Sequence, residues 1–406
     1  MTSIRNYALG LGALALLFTA CDPDDNSDDN GNPSGNTIEP DTLACSDISQ
    51  ATTLVNRGEG IDYLVPCFIE VHEQLTIEPG VTIAFEQDAG FEFNNYDTWK
   101  GSLTAVGTEV DSIRFTGALG MPGSWKGLLF DSDDLRNKMS YCVVEYAGGS
   151  SGDSYGIYTS DESRLALSHS LISRNNGVGM RASRASDLSG MANNTFRANG
   201  SFPVQFAANQ IKYLSPSHTF QENGKAEIYV NSNSLYDRGY LEGQNPHTWH
   251  AHSIPYYVDE TIFVGERTFG HFIIEAGAVL SFSEETSISV NENQAVLEIN
   301  GSANAPVKLE GRNGSGSWNG VWVETNATQN RIEHTLITDA GQEKIGHWFS
   351  NGAALSLGRS TSTTQIELND VTLANSAGCG IAESGTVTIN STNLQFQNIA
   401  GNNFCN

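Results

Sequence analysis

Ile172-Ser173-Arg174-Asn175, Phe196-Arg197-Ala198-Asn199-Gly200 and Phe220-Gln221-Glu222-Asn223-Gly224 repeat one arrangement, an apolar residue three positions before an asparagine. The interval is constant: 199 − 175 = 24 and 223 − 199 = 24. A period in the low twenties is that of a solenoid, in which each turn buries its apolar side only by stacking on its neighbours. An asparagine returning at one phase can sit at a turn, tolerate a left-handed backbone and hydrogen-bond its equivalents above and below. Around these rungs Val81 to Phe85, Ser102 to Val106, Ser112 to Phe115, Gly127 to Phe130 and Tyr141 to Glu145 read as short strands broken by Gly, Asn and Asp. Helical periodicity is almost lacking. Three strands per turn of about 22–24 residues is the arithmetic of a parallel β-helix, so the expected fold class is all-β, a solenoid.

The chain also repeats on a longer scale. Leu75-Thr76-Ile77-Glu78-Pro79-Gly80-Val81 returns as Phe272-Ile273-Ile274-Glu275-Ala276-Gly277-Ala278, and Gly107-Thr108 as Gly301-Ser302. Gly123-Ser124-Trp125-Lys126-Gly127 returns as Gly316-Ser317-Trp318-Asn319-Gly320, and Tyr141 to Gly148 as His334 to Gly341. The offsets drift only from 197 through 194 to 193. Val371 to Asn375 and Leu394 to Asn398 extend the asparagine phase into the second half. We expect two tandem repeats, 42–250 and 251–406, in one continuous helix. The ordered set of LTIEPG, GT, GSWKG and VEYAG followed by asparagine-containing coils resembles the right-handed parallel β-helix repeat lipoproteins of Bacteroidetes-type bacteria. That resemblance implies a right-handed helix and an envelope location, and it brings no agreed catalytic residues. Distant β-helix relatives include polysaccharide lyases and hydrolases.

The first twenty residues read as a targeting segment, with Arg5 as its positive region and Ala8 to Phe18 as an apolar run too short to span a bilayer. Phe18-Thr19-Ala20-Cys21 resembles a lipobox, which implies acylation of Cys21 and a lipid anchor. Residues 21–41 hold seven acids (Asp22, Asp24, Asp25, Asp28, Asp29, Glu39 and Asp41) and no Lys or Arg, the composition of a flexible tether. An acid run directly after such a cysteine resembles the export signal of surface lipoproteins, so the expected location is the outer membrane, displayed at the cell surface.

Twenty-one basic against 47 acidic residues leave a net charge of −26. Such a field repels nucleic acid and anionic membrane surfaces. The spacings 67 − 45 = 22 and 405 − 379 = 26 match about one coil each, which predicts disulfides Cys45–Cys67 and Cys379–Cys405 at the two ends. Cys142, in an apolar strand, is expected to be an inert core residue.

Three groups carry the possible chemistry. Asp131, Asp133 and Asp134 follow a strand and are candidates for Ca²⁺ binding or catalysis, with Lys100, Lys126 and Arg136 as basic neighbours. Their second-half counterparts Glu324, Asn326 and Ala327 keep the acidity only in part, as a solvated turn would. His247, His250 and His252 are the one metal-like cluster, but they match no zinc spacing and read as solvated joint residues. Trp99, Trp322 and Trp348 have no tryptophan counterpart in the other half, Phe349 adjoins Trp348 in the loop after Gly341, and aromatic rings in loops can stack on sugars. The function expected is therefore a lipid-anchored surface module binding glycan or another cell-surface partner without catalysis. The alternatives are a polysaccharide lyase or glycoside hydrolase, and a structural envelope protein.

Overall fold

The computed structural model describes residues 39–406 apart from 95, 97, 98, 150–153, 233–238 and 293. The signal segment, Cys21 and the tether acids from Asp22 to Asp29 lie outside the described residues. Asp41–Thr42 is already a strand, paired in parallel with Tyr63–Val65, so the end of the acidic stretch belongs to the first rung.

The chain winds as a parallel β-solenoid of about 14 turns. The turns up to Ala166–Ser168 contribute strands to three faces, and those that follow in the first half to faces A and B. Face A runs from Asp41–Thr42 through eight strands to Thr219–Gln221, and face C from Thr52–Leu54 through five strands to Ala166–Ser168. Face B starts at Phe68–Val71 and continues to Gln395–Gln397. Strict parallel register stacks like on like: Ile69, Phe91, Leu128, Ile157, Met180 and Val204 are successive inward residues of face B, all at most 1% exposed. Alternate residues point out, which is why the apolar period within a strand is two while the period of the coil is near 24.

The asparagine rungs form an internal ladder. Asn175 Nδ2 donates to Asn199 Oδ1 (2.9 Å) and Asn199 Nδ2 to Asn223 Oδ1 (2.9 Å). The amides also reach back to strand carbonyls, Asn199 Nδ2 to Ile172 O at 3.1 Å and Asn223 Nδ2 to Phe196 O at 3.0 Å. The left-handed backbone lies one residue earlier than expected, at Arg174, Ala198 and Glu222 (φ 53°, 53° and 55°). That twist turns the following asparagine inward, where its amide replaces a strand partner. In the second half the phase slips by one. Asn375 and Asn398 themselves occupy the left-handed position (φ 49° and 51°), and Ser376 takes the buried one. A second ladder at another corner was also written at a spacing of 24: Ser170 N donates to Asn194 Oδ1, and Asn194 N to His218 Nδ1.

The duplication is visible as repeated local architecture. Trp125 stacks on Phe85 (4.1 Å) and donates its indole N–H to Glu145 O (2.8 Å). Trp318 does the same with Phe282 (4.2 Å) and Thr338 O (2.9 Å). Asn137 and Asn330 each accept from the backbone N–H of Leu103 and Leu297 respectively. The copies are nevertheless rotated by one face. Ile83 lies on face A, whereas its counterpart Leu280 lies on face B, in the column that contains Phe91. Seven register steps lead from Phe91 to Leu280, so the 197-residue offset is seven turns plus one face. The step is absorbed where the 3₁₀ helix Ala208–Tyr213 replaces a strand. Face C has already ended at Ala166–Ser168 and face A ends just beyond the helix at Thr219–Gln221, and new columns begin at Gly239–Leu241 and His247–Trp249. Trp249, fully buried, packs this joint against Tyr256 and Phe272.

Both ends are stapled. Cys45 is bonded to Cys67 and Cys379 to Cys405, with Cα separations of 5.8 and 6.2 Å. Cys142 is buried, and burial pushes its thiol up to about 12, which leaves it unreactive.

Candidate functional site

On face B, residues 70, 92, 129 and 131 point outward. Glu70 and Glu92 are register partners on adjacent strands, and Asn94 partners Asp131 on the next. Register partners of one face sit roughly 5 Å apart and diagonal neighbours roughly 7–8 Å, so Glu70, Glu92 and Asp131 form one row of carboxylates. Asn94 Nδ2 holds Glu70 Oε2 at 3.3 Å, and His72 Nε2 lies 3.2 Å from the same oxygen. The His72 ring in turn stacks on Trp99, centroids 3.6 Å apart and 9° from parallel. Tyr96, its ring 6.4 Å from Trp99, donates its hydroxyl hydrogen bond to Asp131 Oδ2, and Ser160 donates to Oδ1. Tyr96 is 57% and Trp99 38% exposed, among the most exposed large apolar side chains described. Beside them a depression of about 220 Å³ is lined by Tyr96, Asp131, Asp133, Asp161 and Glu162.

The electrostatics follow from this crowding. Glu92 is raised above the ordinary carboxyl range, first by burial and then by its neighbours Glu70 and Asp131. The hydrogen bond to Asp131 pushes the Tyr96 phenol up to about 12, so it stays a donor. The site therefore offers an exposed indole, a fixed hydroxyl and a row of carboxyl groups within a few rungs.

Two of the residues singled out in the sequence, Trp99 and Asp131, are thus brought together, although 32 positions separate them. Glu70, Glu92, His72 and Tyr96 escaped notice because each is ordinary alone; only the parallel register aligns them. Asp134 has a different task. Arg136 grips it through Nε (2.8 Å) and Nη2 (2.6 Å), which holds its carboxyl below the usual range as an ion-paired turn. Asp133 is exposed at the rim. Of the basic neighbours, Lys126 Nζ lies over the Phe68 ring at 4.7 Å, away from the Tyr96–Asp131 contact.

The aromatic loop of the second half is packed inward. Phe349 is 2% exposed in a small cluster with Ala353, Ala382 and the Cys379–Cys405 bridge, and Trp322 and Trp348 lean on it. Trp322 donates its indole N–H to Gly358 O at 3.0 Å, and Arg359 lies 5.7 Å over Trp348. These rings cover a satellite core, so Phe349 has no face left for a ligand. The histidines are likewise rung residues and not a solvated joint. His247 is buried and bonded to Glu242 O, His250 Nδ1 meets Glu275 at 2.7 Å, and His252 packs edge-on against Phe220. Alternation in the strand sends His247 and His250 to opposite sides, and among the described residues no group of His, Cys, Asp and Glu is arranged to hold a metal ion.

Comparison with family models, curated proteins and solved structures finds no match to this chain. What the site does must be argued from its geometry.

Proposed function

We propose that this chain is a cell-surface module, anchored by lipid on Cys21 and held off the outer membrane by its acidic tether, that binds a glycan at the Trp99–Tyr96–Glu92–Asp131 site. The observation that carries this reading is the pairing of a solvent-facing indole, braced from behind by His72, with a row of oriented carboxylates. Sugar C–H faces stack on aromatic rings, and carboxylates accept hydrogen bonds from sugar hydroxyls, so the two elements together recognise a polyol ring. The net acidity favours neutral glycans over polyanionic ones.

A second reading, a glycoside hydrolase, is favoured by Glu92 alone. Burial and its acidic neighbours raise Glu92, the direction an acid–base carboxyl needs, and Glu92 and Asp131 sit on adjacent strands of the same face. One experiment separates the two. Neutral oligosaccharides are titrated into wild type, Trp99→Ala and Glu92→Gln, with new reducing ends measured in parallel. Trp99→Ala should weaken binding at least tenfold, about 1.4 kcal/mol, and unchanged affinity would remove this site from consideration. Reducing ends that appear with wild type and vanish with Glu92→Gln would convert the binding module into a hydrolase.

A further inference from the structure

The asparagine ladder fixes the corner where face A passes into face B, and with it the residue before each asparagine. Arg174, Ala198 and Glu222 are therefore successive corner residues, one rung apart and all left-handed. Beside them on face A the outward column runs Glu145, Ser173, Arg197 and Gln221 in register. Glu145, 4% exposed, is held from two sides, by Arg114 at Oε1 and by Arg174 Nη1 at Oε2 (3.1 Å). Arg197 turns the other way, with Nε 2.9 Å from Glu222 Oε2. One arginine is thus drawn a rung back and the other a rung forward, and Ala198, with only a methyl group, leaves the space between them unfilled. The result is a cavity of about 280 Å³ lined by Leu171, Ser173, Arg174, Arg197, Ala198 and Glu222. The Ser173 hydroxyl, on a residue 3% exposed, has no hydrogen-bond partner among the described residues. Nε and Nη2 of Arg174 and both Nη groups of Arg197 also keep N–H bonds to give. Three guanidiniums against two carboxylates make this cluster positive in a chain whose net charge is −26.

We propose that this pocket binds a single oxyanion, a carboxylate or a phosphate, between the Arg174 and Arg197 guanidiniums with the Ser173 hydroxyl as a further donor. Guanidinium groups match the geometry of such anions, and the ligand gives the buried hydroxyl the partner that the protein withholds. Ala198 points the same way. Left-handed backbone suits Asn or Asp and strains alanine, and strain of this kind is kept where a site needs the room. The second copy is a built-in control. Its equivalent corner is Asp339, Asn375 and Asn398, and its outward column Thr338, Ala374 and Gln397, with no arginine in either. The corner is scaffold, and the first copy alone has acquired the basic pocket. Because the overall field turns polyanions away, the ligand is small: free inorganic phosphate, or the carboxylate of one acidic sugar. The pocket belongs to a different corner from Trp99, so either site can fail without the other.

The test uses the whole chain with isotope-labelled arginine side chains, titrated with galacturonate, inorganic phosphate and galactose at constant ionic strength. Either anion should shift the Nε–H resonances of Arg174 and Arg197 and saturate at one molecule per chain, and galactose should not. Galacturonate acting alone identifies an acidic sugar as the source, and phosphate acting alone a free anion. Arg197→Gln should weaken binding by about tenfold or more. Ala198→Asp is accepted by the left-handed corner and sets a carboxylate where the ligand's would sit, so binding should vanish with the thermal midpoint unchanged or raised. Arg359→Gln, at an ion pair of the second copy, should leave binding unchanged. No shift with either anion, an equal shift with galactose, or affinity that survives Arg197→Gln and Ala198→Asp would overturn the proposal.

Discussion

Asn199 is the rung on which the ladder argument is most exposed to test. Its side chain accepts from Asn175 N (3.3 Å) and Asn175 Nδ2 (2.9 Å) and donates to Ile172 O and Asn223 Oδ1, while only 1% of the residue is exposed. Asn199→Ala orphans two buried donors on Asn175, each costing about 1–3 kcal/mol. The expected loss is therefore about 2–6 kcal/mol, the lower end applying if water enters the gap. Asn398→Ala removes one exposed bond, to Asn375 Oδ1, and puts alanine at a left-handed position, so its cost is set by about 1–2 kcal/mol of backbone strain. Asn199→Asp adds a sign. Burial opposite the Ile172 and Asn223 oxygens raises that carboxyl above its unfolded value, so its stability is present at low pH and lost as pH rises. The assay is urea unfolding combined with amide exchange across the Asn175–Asn223 rungs, since a solenoid opens in neighbouring units. Equal effects of Asn199→Ala and Asn398→Ala, or a loss below about 1 kcal/mol, would refute the ladder as a source of stability.

Two further outcomes follow from the same physics. Burial lowers His218, His247 and His252 to about 4 each, and His218 Nε2, His252 Nε2 and His247 Nδ1 have no hydrogen-bond partner. The unfolded chain binds the extra protons first, so stability is full above about 6.5 and is lost as pH falls toward 4; denaturation midpoints at pH 7.5 and 5 should differ, and differ less in His252→Leu. For the anchor, Cys21→Ala should move the protein from the membrane fraction to the soluble one, and membrane retention would sink the lipoprotein reading.

How much was legible in the chain depends on distance along it. The 24-residue beat and the two pairs of end cysteines disclosed the solenoid, because a coil repeats its own sequence and stacking is a nearest-neighbour matter. Trp125 and Trp318 were legible as scaffold for the same reason: duplication marks what packing requires. The left-handed residue preceding each asparagine was not, since Arg174, Ala198 and Glu222 share no side-chain character that announces it.

Sequence alone thus determined the fold class, the period, the duplication and the staples, all properties of residues that meet copies of themselves. Tertiary structure decided the sites. The second copy sits one face round from the first, an offset that shows only in the register and that no periodicity within a coil predicts. The same registers set Glu70 beside Glu92 and Asn94 beside Asp131. Turns of unequal length carry these residues, so their spacing along the chain is irregular, and only stacking converts it into proximity.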